Sequence, residues 1–149
     1  IILFGASAFT GIFMSLDGNQ IIANWVVNMG IGKWGAFALM MTIVFVLGMF
    51  IDWLGIVMIV FPIFLPIMDM FGFDRLWIVA ATAVMLQTCF MTPPFGFALF
   101  YIKGIVPPEV KIGDIYRGVI PFILIVIAVV VLVTAFPQLV HWLPDLVAS

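Results

Sequence analysis

Between Trp34 and Met68 the only charged side chain is Asp52. As one helix this stretch would be about 50 Å long, far beyond the roughly 30 Å hydrocarbon core of a bilayer. As two ordinary crossings it would need a turn in water near residue 52. Yet Gly48-Met49-Phe50-Ile51-Asp52-Trp53-Leu54-Gly55 offers one charge and two glycines. Each half is only about 25 Å long if helical. The pattern predicts a re-entrant helical hairpin over 34–68, its tip near Gly48 to Gly55 inside the membrane. Pro62 and Pro66 would bend the return arm. Irregular backbone at that depth is tolerated only where protein or a water-filled cavity surrounds it.

The composition agrees. Of 149 residues 66% are hydrophobic and 8% charged, where soluble domains carry about 25% charged residues. So few charges cannot solvate a globular surface, and the unbroken apolar runs do not alternate as strands of a transmembrane barrel would. The fold class is all-α integral membrane. Cys89 is the single cysteine, which excludes an internal disulfide and a thiolate metal cluster. A net charge of -2 without a basic run argues against nucleic acid as a partner.

Residues 1–16 predict part of a spanning helix, ended by the turn signal Asp17-Gly18-Asn19. The chain opens inside an apolar run with no initiator Met and no charged leader. It is therefore expected to be a fragment of a longer membrane protein, truncated at its N-terminus. Gln20, Asn24 and Asn28 share one face of a helix over 20–30, with Ile22, Trp25, Val26 and Met29 opposite. That pattern fits a helix lying in the membrane interface or a polar seam against another helix. Asp69 to Arg75 predicts a short aqueous turn. Residues 76–102 predict a transmembrane helix broken at Gln87-Thr88-Cys89-Phe90-Met91-Thr92-Pro93-Pro94-Phe95-Gly96, because two prolines withhold two donors and disfavour helix at Thr92. Lys103 to Gly118 carries Lys103, Lys111 and Arg117, three of the five basic residues, and predicts a cytoplasmic loop. Residues 119–140 predict the last span, with regular helix ending near Phe136. Lys33, 69–75 and the C-terminal tail are then expected outside.

The chemistry sits at the two breaks. A carboxylate at mid-bilayer costs on the order of 3 kcal/mol by insertion scales, so Asp52 needs a partner, a proton or water. It can cap the return helix, handle a cation or solute, or do both. Broken helices present carbonyls to cations and free N–H groups to anions, and Thr92, Pro93, Pro94 and Gly96 could supply both; a plain proline kink is the alternative. The cation- and substrate-binding set is thus Gly48, Asp52, Thr92, Pro93, Pro94 and Gly96. Gln87 and Thr88 are a weaker second pair, for which helix–helix hydrogen bonding is the other reading. No metal site beyond one for Na⁺, no prosthetic cofactor and no catalytic residue set is expected. The lone His141 excludes a bis-histidine site, Ser7 and Ser15 have no nearby His or Lys in sequence, and Cys89 suits packing better than nucleophilic chemistry.

Three segments together resemble the large membrane subunit of tripartite ATP-independent periplasmic (TRAP) transporters: Gly48-Met49-Phe50-Ile51-Asp52, Pro62-Ile63-Phe64-Leu65-Pro66 and Thr92-Pro93-Pro94-Phe95-Gly96. Tyr101 to Phe122, with Pro107-Pro108-Glu109-Val110 and Ile115-Tyr116-Arg117-Gly118, is most similar to the mannitol or chloroaromatic branch. The resemblance implies one half of an inverted-repeat transporter, here the C-terminal repeat. It further implies Na⁺-coupled secondary transport of an organic acid by an elevator-like movement, in a multi-pass protein of the bacterial inner membrane. A small membrane subunit, a periplasmic substrate-binding protein and the lipid bilayer are the implied partners. Against this stands a second reading, a non-catalytic anchor or assembly subunit of a larger membrane complex whose breaks are only kinks.

Overall fold

A computed structural model describes residues 2–94 and 96–148, and these contain helices and turns but no strand. The helices are α1 (Ile2–Ser15), α2 (Gly18–Asn28), α3 (Gly32–Gly48), α4 (Trp53–Met70), α5 (Arg75–Leu86), α6 (Phe97–Ile105), α7 (Ile112–Ala135) and α8 (Gln138–Ala148). A single 3₁₀ turn, Gln87–Phe90, continues α5. By length and composition α4 and α7 qualify as membrane-spanning helices.

The helices α3 and α4 form a hairpin about a four-residue turn, 49–52. Its two outer ends meet: Lys33 Nζ donates to the Gly72 carbonyl at 3.0 Å and lies 4.3 Å from the centre of the Phe73 ring. Glycines at positive φ (Gly30 before α3, Gly32 as its first residue, Gly72 after α4) make the sharp reversals at this end. The Asp69 carboxylate accepts from Arg75 Nε at 3.0 Å across the α4–α5 turn. Asp74 caps α5 by accepting from the Trp77 N–H at 2.8 Å. Trp34, Phe37, Phe73 and Trp77 pack as one aromatic cluster with ring centres 4.9 to 6.3 Å apart. Each such pair adds about 0.5–1.5 kcal/mol beyond the area it buries.

The core lies where α3, α4 and α5 meet, with Met40, Val44, Ile56, Val60, Ile67, Ile78 and Ala81 at its centre. Helices α1 and α2 lean on α4, and α7 packs along α5. On α7 only Ile115, Val126 and Val130 are buried, while Leu124, Ile125 and Val131 are about 60% exposed. Such a face suits lipid or further protein, not water. Among the described residues every buried side-chain nitrogen or oxygen has a hydrogen-bond partner.

Two prolines explain contacts between helices. Pro62 withholds the donor that the Met58 carbonyl would receive in an unbroken helix, and Thr10 Oγ1 of α1 donates to that carbonyl at 3.1 Å. Pro137 withholds the donor for Val133 at the end of α7, and Trp77 Nε1 of α5 donates there at 2.9 Å.

The boundaries differ from expectation in three places. The expected loop from Lys103 to Gly118 is helical at both ends, since Lys103 belongs to α6 and α7 begins at Ile112. Pro107 and Pro108 stop α6, and the Asp114 carboxylate accepts the Lys111 N–H at 3.1 Å, starting α7 early. The last span starts well before residue 119, but its regular helix stops at Ala135, at the end expected near Phe136, and α8 begins at Gln138. The helix expected over 20–30 is α2, which buries Ala23 and Val26 and leaves Gln20, Asn24 and Asn28 exposed.

Candidate functional site at the hairpin tip and helix break

Asp52 stands first in the site because α4 begins on it. Its backbone is extended (φ -64°, ψ 147°), and its carboxylate accepts from the Leu54 N–H at 3.4 Å. It is therefore the N-cap of α4, one of the two roles expected for it. That bond is long, so it engages little of the carboxylate's capacity to accept hydrogen bonds. The side chain is partly exposed and opens on a groove of about 320 Å³ shared with Phe90, Phe97, Ala98 and Tyr101.

Gly48, the last residue of α3, is buried against the 3₁₀ turn: a Cβ at this position would overlap Cys89 Sγ and lie 3.3 Å from Cys89 Cβ. Cys89 is buried and packs at this contact. The tip and the break, 40 residues apart in sequence, are thus seated on each other with only a glycine's thickness between them.

The break has its own geometry. The N–H groups of Met91 and Thr92 both reach the Thr88 carbonyl, at 3.0 and 2.8 Å. Thr92 is buried and its hydroxyl donates to the same carbonyl at 2.7 Å. This leaves the hydroxyl's lone pairs as acceptors. The Pro93–Pro94 peptide is cis. The two prolines give no N–H to the carbonyls of Cys89 and Phe90, their helical partners. Gly96 then donates to the Thr92 carbonyl at 3.0 Å and accepts from the Leu99 N–H at 2.8 Å, which starts α6. A Cβ at Gly96 would lie 2.9 Å from Leu99 Cδ1 and 3.1 Å from the Met91 carbonyl carbon. The close return of the chain therefore needs glycine here. The N-termini of α4 and α6 both lie beside the groove, with the Leu54 N–H on the Asp52 carboxylate and the Leu99 N–H on the Gly96 carbonyl.

Of the residues singled out from sequence, Gly48, Asp52, Thr92, Pro93, Pro94 and Gly96 fall on these two contiguous features. Thr88 is buried, but its hydroxyl donates to the Met85 carbonyl at 2.7 Å, within its own helix and not across to another. Gln87 is exposed and opens on a separate, apolar groove of about 290 Å³ with Trp53, Val57 and Phe61. Phe90, Phe97 and Tyr101 went unnoticed in the sequence, although Phe97 and Tyr101 stand one helical turn apart just past Gly96. A larger groove of about 670 Å³ lies beside α8, lined by Gln138, His141, Trp142 and Asp145; it touches neither break.

An all-helical chain with two helices long and apolar enough to cross a membrane, in which a hairpin tip meets an interrupted helix, fits a piece of a membrane permease. Residues 1–139 match the model of the DctM component of the tripartite ATP-independent periplasmic transporters, and the chain belongs to that family. It is 34% identical over 100 residues to a sialic acid TRAP transporter permease protein of Haemophilus influenzae, covering 67% of this chain and 16% of the relative. It is 26% identical over 144 residues to a C4-dicarboxylate TRAP transporter large permease protein of Pseudomonas aeruginosa, covering 97% and 33%. It is 29% identical over 156 aligned positions to an ectoine/5-hydroxyectoine TRAP transporter large permease protein of Ruegeria pomeroyi, covering 94% and 36%. The chain spans about a third or less of the length of these relatives. They are transporters, not enzymes.

Proposed function

We propose that the chain is the C-terminal repeat of a TRAP-transporter large permease, in the mannitol or chloroaromatic branch that Tyr101 to Phe122 resembles. The complete protein carries an organic acid across the bacterial inner membrane, coupled to Na⁺. It works with a small membrane subunit and a periplasmic substrate-binding protein. The observation that carries this reading is the seating of Gly48 on Cys89, which joins the tip and the break into one locus.

Depth supports the re-entrant form of the hairpin. The 17 residues of α3 are about 26 Å long, whereas the 24 of α7 are about 36 Å. From their shared outer end, α3 stops short of the depth that α7 reaches. The 12 residues of α5 plus the 3₁₀ turn cover about the same 26 Å, so the break lies level with the tip. At that level Asp52 and the oxygens of Thr92 and the break carbonyls suit a hard cation. The N-terminus of α6 suits a solute carboxylate. The names of two relatives specify sialic acid and C4-dicarboxylates, both carboxylate-bearing solutes.

The test is Na⁺-dependent solute uptake by the complete permease with its companion subunits. Asp52→Asn and Thr92→Val are each expected to lower it at least tenfold at equal membrane abundance. Asn keeps the helix cap and Val keeps the shape, so folding is retained in both. Wild-type uptake in both variants would remove these residues from the site.

A further inference from the structure

We infer that the groove between α4 and α5 at Gln87 seats a transmembrane helix of the complete permease that lies outside this chain, and that this helix presents a hydrogen-bonding side chain to the Gln87 amide. The inference rests on the transport reading above and deepens it by locating a contact between this repeat and the rest of the permease.

Depth makes Gln87 need a partner. It stands 12 residues beyond Arg75, the first residue of α5, and so about 18 Å from the outer end. That leaves about 12 Å to the far edge of a roughly 30 Å hydrocarbon core. Both edges are beyond the reach of the side chain. Gln87 is exposed, and among the described residues its amide makes no hydrogen bond. An amide left unpaired in hydrocarbon is costly. Apart from Gln87 and the Trp53 indole nitrogen, the side chains lining this groove of about 290 Å³ are apolar. A water here would lack the two to four polar partners it needs, and an acyl chain offers none. The partner is therefore a protein group.

The groove has the form that a helix fits. Trp53, Val57 and Phe61 recur every fourth residue on α4, and Val79, Ala83 and Gln87 do so on α5, with Phe90 continuing the second row. Both rows are at least partly exposed. Two rows at this spacing bound a groove that takes the side-chain ridge of a third helix. They run about 12 Å along α4 and about 16 Å from Val79 to Phe90, two to three helical turns. Ala83, midway along its row, lets a neighbouring backbone approach closely.

The occupant comes from the same polypeptide. The chain spans 33% of one large-permease relative and 36% of another, so most helices of the complete permease lie outside it. Tethering gives those helices a higher effective concentration at the groove than any separate subunit has. Phe90 lines both this groove and the one at Asp52. A helix seated here stands against the tip and the break, where a second repeat completes the site.

The test replaces Gln87 and, separately, Ala83 by the photoreactive p-benzoylphenylalanine in the complete permease, irradiates intact membranes and maps the crosslinked peptides by mass spectrometry. Both positions are expected to crosslink to one apolar helix of the permease outside this chain. Ala83→Trp, which fills the groove, should lower crosslinking from position 87 at least fivefold. Gln87→Leu keeps the size and removes the amide, and should lower the melting temperature of the purified complete permease by several degrees; at a lipid-facing position the same change would raise it or leave it unaltered. Crosslinks confined to lipid, to the small membrane subunit or to a second copy, no crosslink from either position, or a Gln87→Leu permease at least as stable as wild type would overturn the inference. Na⁺-dependent uptake by the wild-type permease, assayed in parallel, separates the two readings. Uptake without the expected crosslink sinks only the docking assignment, whereas absence of any Na⁺-dependent uptake sinks the parent transport reading.

Discussion

At the scale of single residues the site depends on an absence, the missing side chain of Gly48. Alanine there would press on Cys89 Sγ and Cβ, and overpacking of this kind costs about 1–3 kcal/mol. Gly48→Ala is expected to lower the thermal stability of the complete permease, and Cys89→Ala to restore most of the loss when the two are combined. A double-mutant cycle on detergent-solubilised protein, read by melting temperature, measures the coupling. Additive losses would mean that the tip and the turn do not bear on each other. Gly48 and Asp52 were legible from sequence because glycines and a carboxylate are out of place in an apolar run. The Gly48–Cys89 contact was not legible, since it depends on how two distant segments dock. Phe90, Phe97 and Tyr101 were hidden for the opposite reason: in a chain with 16 phenylalanines an aromatic residue carries no signal until the fold shows which three share a groove with Asp52.

Between elements the recurring device is a proline that frees a carbonyl and a neighbouring helix that takes it. Thr10 on the Met58 carbonyl ties α1 to α4, and Trp77 on the Val133 carbonyl ties α5 to the end of α7. Hydrogen bonds between membrane helices are worth about 0.6 kcal/mol on average and at most about 2. Thr10→Val is therefore expected to cost up to about 1 kcal/mol. In a Pro62→Ala background the cost should shrink, because the substituted alanine supplies the helical N–H that proline withholds. Melting curves of the four proteins of that cycle decide it, and an equal cost in both backgrounds would show that the carbonyl is not what Thr10 serves. Trp77→Phe tested with Pro137→Ala should behave alike. The signal was in the sequence at a known place, four residues before each proline. What sequence withheld was the identity of the donor, which lies 48 residues away in one case and 56 in the other. The helix ends near residues 112 and 136 were partly readable for the same local reason: Asp114 and Pro137 act within one turn of where they stand.

For the molecule as a whole, the positions of its charges follow from α7. Lys33, Gly72, Asp74 and His141 gather at one end: Lys33 reaches the Gly72 carbonyl, and His141 Nε2 lies 3.4 Å from Asp74 Oδ1. Trp77 holds the final turn of α7 at that same end. The other end of α7, about 36 Å away, begins at Ile112, beside Lys111 and next to the Val110 carbonyl that Lys103 Nζ grips at 2.7 Å. The basic cluster and the aromatic, His-bearing cluster are therefore separated by more than the thickness of a hydrocarbon core. By the bias of basic residues toward the cytoplasm, Glu109 should face inward and Asp145 outward. Single cysteines at these two positions, in a Cys89→Ala background, are expected to react with an impermeant maleimide from opposite sides. Asp145→Cys should label in intact spheroplasts and Glu109→Cys only after permeabilisation. Labelling of both from one side would break the arrangement. The same assay locates the tip: Ile51→Cys should react more slowly than Glu109→Cys, with a rate that changes when Na⁺ is replaced by K⁺, because a tip within the membrane meets water only through a cavity. An Ile51→Cys that matches Glu109→Cys in rate and ignores Na⁺ would make the hairpin two ordinary crossings with a turn in the cytoplasm, and Asp52 a helix cap in water.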